Sequence, residues 1–112
     1  EMMELNDLKI LCSELKTDVA SIKNICFSFI KKYDNIFLAL ATRKENKIIL
    51  NIALSKTLVQ AKQLDARDII NQVGQHINAR GGGQPFFAVA SGDNPKGITN
   101  LFDSIKELLK MI

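Results

Sequence analysis

The chain has 112 residues, 46% of them hydrophobic and 24% charged, with a net charge of +3. That composition describes one ordinary globular domain with a modest core, which excludes a disordered tail and a two-domain body. No apolar run reaches the roughly 18 residues of a membrane span, and two cysteines with one histidine fall short of the about four such ligands that hold a structural metal.

The start, Glu1-Met2-Met3-Glu4, is acidic where a secretory leader would be basic. Glu1 is not an initiator Met, so the chain reads as a piece of a longer one. Leu8, Ile10 and Cys12 alternate with Lys9, Leu11 and Ser13, which predicts a strand. From Val19 the apolar positions Ile22, Ile25, Cys26, Phe29 and Ile30 fall three and four apart, which makes one helical stripe. Thr17 or Asp18 caps its start, and Lys31 and Lys32 suit its negative end.

Asn35 to Thr42 is apolar nearly throughout, as in a strand buried on both faces. The polar break Arg43-Lys44-Glu45-Asn46 then joins it to the Ile-rich run Lys47 to Leu54, predicting a hairpin. Ser55 to Leu64 reads as irregular. Asp65, with Asp68 three residues on, caps a helix whose inner stripe is Ile69, Ile70, Val73 and Ile77. A short strand over Pro85 to Ser91 follows. Asn94-Pro95 then opens a last helix with the stripe Ile98, Leu101, Phe102, Ile105, Leu108, Leu109 and Ile112. The order β-α-β-β-α-β-α predicts an α/β (α+β) fold over residues 1–112, a single domain with a mixed four-stranded sheet and helices packed on it.

Running from the second helix-like stretch into that last strand is Ala79-Arg80-Gly81-Gly82-Gly83-Gln84-Pro85-Phe86-Phe87-Ala88. Three glycines in a row are predicted as a loop at a helix C-terminus. A phosphate-cradling loop leads instead from a strand into a helix N-terminus, where the dipole is positive. Two uses remain. The glycines let the helix stop and pack tightly on the sheet, or their bare backbone lies against a sugar-phosphate chain. Arg80 is then the first choice for a phosphate contact. Lys31, Lys32, Arg43, Lys44 and Lys47 are close in sequence and read either as a solvated face or as an electrostatic footprint. Phe86 and Phe87 point to opposite faces of a strand, one toward the core and one free to stack on a base. No catalytic set is evident: His76 has no nucleophile or acid near it in sequence, and Asp65 and Asp68 are explained as caps. Cys12 and Cys26 read as buried free thiols, which fits a reducing compartment.

Gly81-Gly82-Gly83-Gln84-Pro85-Phe86-Phe87-Ala88 followed by Ser91-Gly92 resembles the C-terminal glycine-rich motif of alanyl-tRNA synthetases. That motif belongs to their DHHA1-type, or C-Ala, domain. Gln84 stands where the motif has a basic residue and Phe86 where it has an aspartate. The order of elements is similar from about Asn6 to Met111. The resemblance implies a non-catalytic, tRNA-binding C-terminal domain of a multidomain alanine-tRNA ligase. Such a domain contacts the outer corner of alanine-specific tRNA and helps couple aminoacylation with editing. Together with the reading of the residues above, this places candidate RNA contacts at Arg80, Gly81, Gly82, Gly83 and Gln84, with support from Lys31, Lys32, Arg43 and Lys44, and no catalytic or metal residue is expected here. ATP, magnesium and zinc would belong to the longer, ATP-dependent enzyme, as would dimer contacts. A cytoplasmic location with no membrane partner follows. Two other readings are a nucleic-acid substrate-binding domain of a DHH-type phosphoesterase and an oligomerisation domain that touches no RNA.

Overall fold

A computed structural model describes residues 2–111. Ile112, predicted on the last helical stripe, lies outside the described residues. The elements are β1 Met2–Leu5, β2 Leu8–Glu14, α1 Val19–Lys32, β3 Ile36–Lys44, β4 Lys47–Leu54, α2 Lys56–Ala61, α3 Ala66–Val73, β5 Arg80–Gln84, β6 Phe87–Gly92 and α4 Ile98–Lys110. Single 3-10 turns, Gly74–Ile77 and Pro95–Gly97, follow α3 and precede α4. One mixed sheet runs β1-β2-β3-β4-β6-β5. Its one parallel pair is β2 with β3, joined by α1; the other neighbours are antiparallel.

The α+β class and the single sheet agree with expectation, but the sheet has six strands rather than four. β1 is a short exposed edge with no apolar alternation to mark it. It is held by a two-residue turn in which Asn6 and Asp7 take φ of 52° and 69°, a left-handed conformation that Asn and Asp tolerate. β5 is the glycine run itself. It pairs with β6 from Arg80 opposite Ser91 to Gln84 opposite Phe87, so the predicted loop is a strand and the turn is Pro85-Phe86. The stretch read as irregular holds α2. In the β3–β4 hairpin the true turn is Glu45-Asn46, since Lys44 and Lys47 are still paired.

Two apolar layers sandwich the sheet. On one face Ile22 and Cys26 of α1 pack on Ile36, Leu38, Leu40 and Ala53. On the other, Leu58, Ile69, Ile70, Val73, Leu101, Ile105 and Leu109 from α2, α3 and α4 close over Phe37, Leu50, Ile52, Ala88 and Ala90. Asp18 caps α1 by accepting from the Ser21 N–H at 2.7 Å. Asp65 caps α3 by accepting from the Arg67 N–H, and it also pairs with that guanidinium at 2.6 Å. Asn94 and Pro95 open the second 3-10 turn rather than α4, and Asn94 makes no side-chain cap bond there; its Nδ2 donates to the His76 carbonyl at 3.0 Å and ties the two 3-10 turns together.

Polar groups inside the sandwich are few. Asn51 is fully buried on β4; its Nδ2 donates to the Leu40 carbonyl at 3.3 Å while Oδ1 has no partner. Ser55 is 1% exposed, and its Oγ accepts from the Ile36 N–H at 2.6 Å and donates to the Ile36 carbonyl at 3.0 Å. Ser55→Ala is expected to cost about 1–3 kcal/mol, because it strips a partner from buried backbone groups. Urea unfolding measures this, with the midpoint falling and the slope unchanged.

Candidate nucleic-acid interface

Register decides what β5 presents. Arg80, Gly82 and Gln84 lie opposite Ser91, Val89 and Phe87, and those three lie opposite Ile49, Asn51 and Ala53. Ala53 belongs to the α1 layer, so side chains alternate such that Arg80, Gly82 and Gln84 share the α1 face. Helix α1 covers β3 and β4, and its Phe27 reaches Phe87, with ring centroids 5.0 Å apart. Beyond that point the face is open: Arg80 through Gln84 are exposed, as is Ser91. The result is a stripe about 13 Å long, a cation at one end, an amide at the other and bare backbone between.

The three glycines are not equivalent. A Cβ on Gly81 would run into the Val89 carbonyl and sit 2.6 Å from the Ala90 Cα; one on Gly83 would meet the Phe87 carbonyl and sit 2.8 Å from the Ala88 Cα. Both glycines are therefore demanded by the close approach of β5 to β6. Around a Cβ on Gly82 there is nothing within 4 Å. Packing within the domain gives no reason for a glycine at that position.

The predicted basic residues divide. Arg43 and Lys44 end β3 at the same end of the sheet as Arg80, about three strand spacings, or roughly 14 Å, across it. By alternation Lys44 shares the Arg80 face and Arg43 does not. Arg43 is held by Glu14, with Nε 2.5 Å and Nη2 3.3 Å from its carboxylate oxygens. Lys31 and Lys32 end α1 at the opposite end of the sheet, so the nine predicted residues do not form one patch. Lys32 lies 5.5 Å from the centre of the Tyr33 ring. Lys31 instead lines a recess with Phe86.

Residues that sequence reasoning missed gather there. Phe27 meets both Phe86 and Phe87 in tilted ring contacts, Lys23 sits over Phe27 at 5.7 Å, and Lys56 lines the same recess as Lys31. Helical spacing could have placed Phe27 beside Lys23 and Lys31 on α1, three or four residues apart. Nothing in the sequence pointed to Lys56. Elsewhere, His76 Nε2 and Ser104 Oγ lie 2.8 Å apart, which fastens the 3-10 turn to α4. Among the described residues no group of three His, Cys, Asp or Glu is placed to hold a metal ion, and no helix is long and apolar enough to cross a membrane.

Comparison with known proteins agrees with this architecture. The fold matches the C-Ala domain of Aquifex aeolicus alanyl-tRNA synthetase with a TM-score of 0.89, covering 98% of both chains at 21% identity. The sequence is 33% identical over 110 residues to the alanine–tRNA ligase of Christiangramia forsetii, which is 98% of this chain and 13% of that one. It is 32% identical to the alanine–tRNA ligase of Flavobacterium psychrophilum, over 98% of this chain and 12% of that one. The Bacteroides fragilis alanine–tRNA ligase matches at 32% over 96% of this chain and 12% of its own length. The chain thus spans about an eighth of these curated relatives. The DHHA1 domain pattern matches residues 7–111, nearly the whole length, and the chain belongs to the DHHA1 domain family.

Proposed function

We propose that this chain is the tRNA-binding domain of an alanine-tRNA ligase and that the β5 stripe is where it meets RNA. The relatives' names supply the enzyme; the stripe supplies the chemistry. The observation that carries the reading is Gly82, a glycine with no internal duty, between Arg80 and Gln84 on an open face. A side-chain-free strand lets a sugar-phosphate backbone come to hydrogen-bond distance of main-chain groups, and a guanidinium beside it pairs with phosphate in bidentate fashion. Such contacts read shape rather than sequence, which suits a folded RNA with an exposed outer corner. Lys44 lies at the Arg80 end and Lys31 at the other, so the same backbone can meet cations on both sides.

In the longer protein, holding the tRNA here raises the effective concentration of its acceptor end at the aminoacylation and editing sites. The ATP-dependent ligation, its magnesium and any zinc reside in those other domains, as do the contacts for dimerisation. The working location is the cytoplasm, where tRNA is charged.

The test is an anisotropy titration of the 112-residue chain with labelled alanine tRNA at several salt concentrations. Affinity is expected to fall steeply with salt, and Arg80→Ala is expected to bind about 10-fold more weakly, as for loss of one charged hydrogen bond. Its salt slope should shrink by about one. Unchanged affinity in Arg80→Ala, with the fold intact by circular dichroism, rejects the stripe as the contact.

A further inference from the structure

At the Gln84 end, the β5–β6 turn overhangs a recess of about 410 Å³ between the last turn of α1 and the start of α2. Its walls are Ile30, Leu54, Val59 and Phe86, with Lys31 and Lys56 among the residues that line it and no carboxylate in that lining. Phe86 is 41% exposed, a large apolar surface to leave in water. Its backbone is nevertheless fixed. The Phe86 carbonyl accepts from the Leu54 N–H and the Pro85 carbonyl from the Ala66 N–H, each at 2.8 Å. Phe27 steadies the ring from the side, tilted 40° to it with centroids 6.4 Å apart.

We propose that this recess takes one unpaired nucleobase of the bound RNA, stacked on Phe86, with Lys31 and Lys56 on the phosphates to either side. An apolar cup whose only charges are cations fits a ligand with a flat apolar body and negative flanks. A nucleotide within a strand has that form. A rigidly held ring loses little freedom on stacking, which favours its use as a platform. The site also continues the Arg80–Gly82–Gln84 stripe, since Gln84 leads directly into the turn that carries Phe86. A strand that follows β5 therefore arrives at the recess. The assignment rests on the reading of this chain as an RNA binder and adds to it a preference for an unpaired position.

The experiment titrates the 112-residue chain against a single-stranded RNA hexanucleotide that carries one 2-aminopurine, with a fully paired 12-base-pair RNA as the comparison. The 2-aminopurine fluorescence is expected to change saturably with the hexanucleotide. Phe86→Ala is expected to weaken that binding about 5- to 150-fold, the range for loss of one stacked base, and Phe86→Trp to retain it. Binding of the paired RNA should be little altered by Phe86→Ala. Because Phe86→Ala also removes a packing partner of Phe27, the surface double variant Lys31→Glu/Lys56→Glu is measured beside it. Its salt slope on the hexanucleotide should drop by about 1.4, or 0.7 per phosphate. Wild-type affinity and slope in these variants overturn the proposal. A hexanucleotide that gives no saturable signal also overturns it and leaves the recess to a protein segment. In either case, if Arg80→Ala still weakens tRNA binding, the stripe stands and the recess alone falls. If Arg80→Ala has no effect while the recess responds, the stripe falls instead.

Discussion

Gly81→Ala is expected to melt roughly 10 °C below the parent chain, and Gly82→Ala, one residue away, to melt no lower than it. At position 81 the new methyl would lie 2.6 Å from the Ala90 Cα and 2.8 Å from the Val89 carbonyl carbon. Those atoms are backbone in the middle of a sheet and cannot turn aside. The edge strand must part from β6, a cost of about 1–3 kcal/mol for overpacking of this kind, or about 4 °C for each kcal/mol in a domain of this size. At position 82 the methyl enters open space, and the unfolded chain loses freedom, a gain of about 0.4–1 kcal/mol. Binding should reverse the order of importance. Gly82→Ala holds the RNA backbone off the strand and is expected to weaken tRNA binding about 10-fold, the effect of losing one or two hydrogen bonds to charged phosphate. Thermal melts and anisotropy titrations on the two variants settle both halves. Equal melting points would remove the distinction between the glycines, and wild-type affinity in Gly82→Ala would remove the bare strand from the interface.

Alkali is expected to unfold this domain sooner than its ion pairs would suggest. Burial pushes the Cys26 thiol up to about 12, and the Cys12 thiol up to about 11 against a partial pull downward from the Lys106 ammonium; both would stand at 9.0 in an unfolded chain. A raised value means that the folded state holds its proton more tightly. The stabilisation is therefore complete below pH 9 and is lost as the pH climbs from 9 toward 11 and 12. At pH 10 the unfolded thiols are about nine-tenths ionised and the folded ones are not, which removes about 1.4 kcal/mol of stability for each thiol. Urea unfolding at pH 8 and pH 10 measures the difference. Cys26→Ala starts from lower stability because of the cavity it leaves, yet should lose about half as much between the two pH values. An equal loss in variant and parent would show that the thiol does not drive the transition. Both cysteines read as buried from the sequence, but only Cys26 is, and Cys12 is half-buried; at pH 8 the Cys26 thiol should resist alkylation until the chain unfolds.

What could be read in advance was whatever side chains encode by spacing. The α1 stripe ends in Ile22 and Cys26 fully buried, and α4 turns Ile98, Leu101, Ile105 and Leu109 inward, because a 3.6-residue period leaves the same trace in sequence and in packing. β5 leaves no such trace. Glycine has no side chain to alternate and little strand propensity, so its strand character comes wholly from β6, which offers Ala88 and Ala90 where the two backbones crowd. The basic residues are spread apart for a different reason. Lys32 and Arg43 are near in sequence, but β3 from Ile36 to Thr42 runs between them, so that Ile36 and Arg43 stand roughly 23 Å apart. Nearness along an extended chain is separation in space. Spacing left open which of Phe86 and Phe87 faces the core; Phe86 lies in the turn and is exposed, and Phe87 is half-buried on β6.

Asn51 gives the central hairpin a single answer. On β4 every residue from Leu50 to Leu54 is buried, so hydrophobicity alone would accept this strand turned over, with its two sides exchanged. An error of one place would carry the Asn51 amide away from the Leu40 carbonyl and drive it, unsatisfied at both ends, into the layer beneath α3 and α4. A lone amide among greasy neighbours thus works as a key cut for one orientation of the lock: it weakens the right assembly slightly and the wrong one far more.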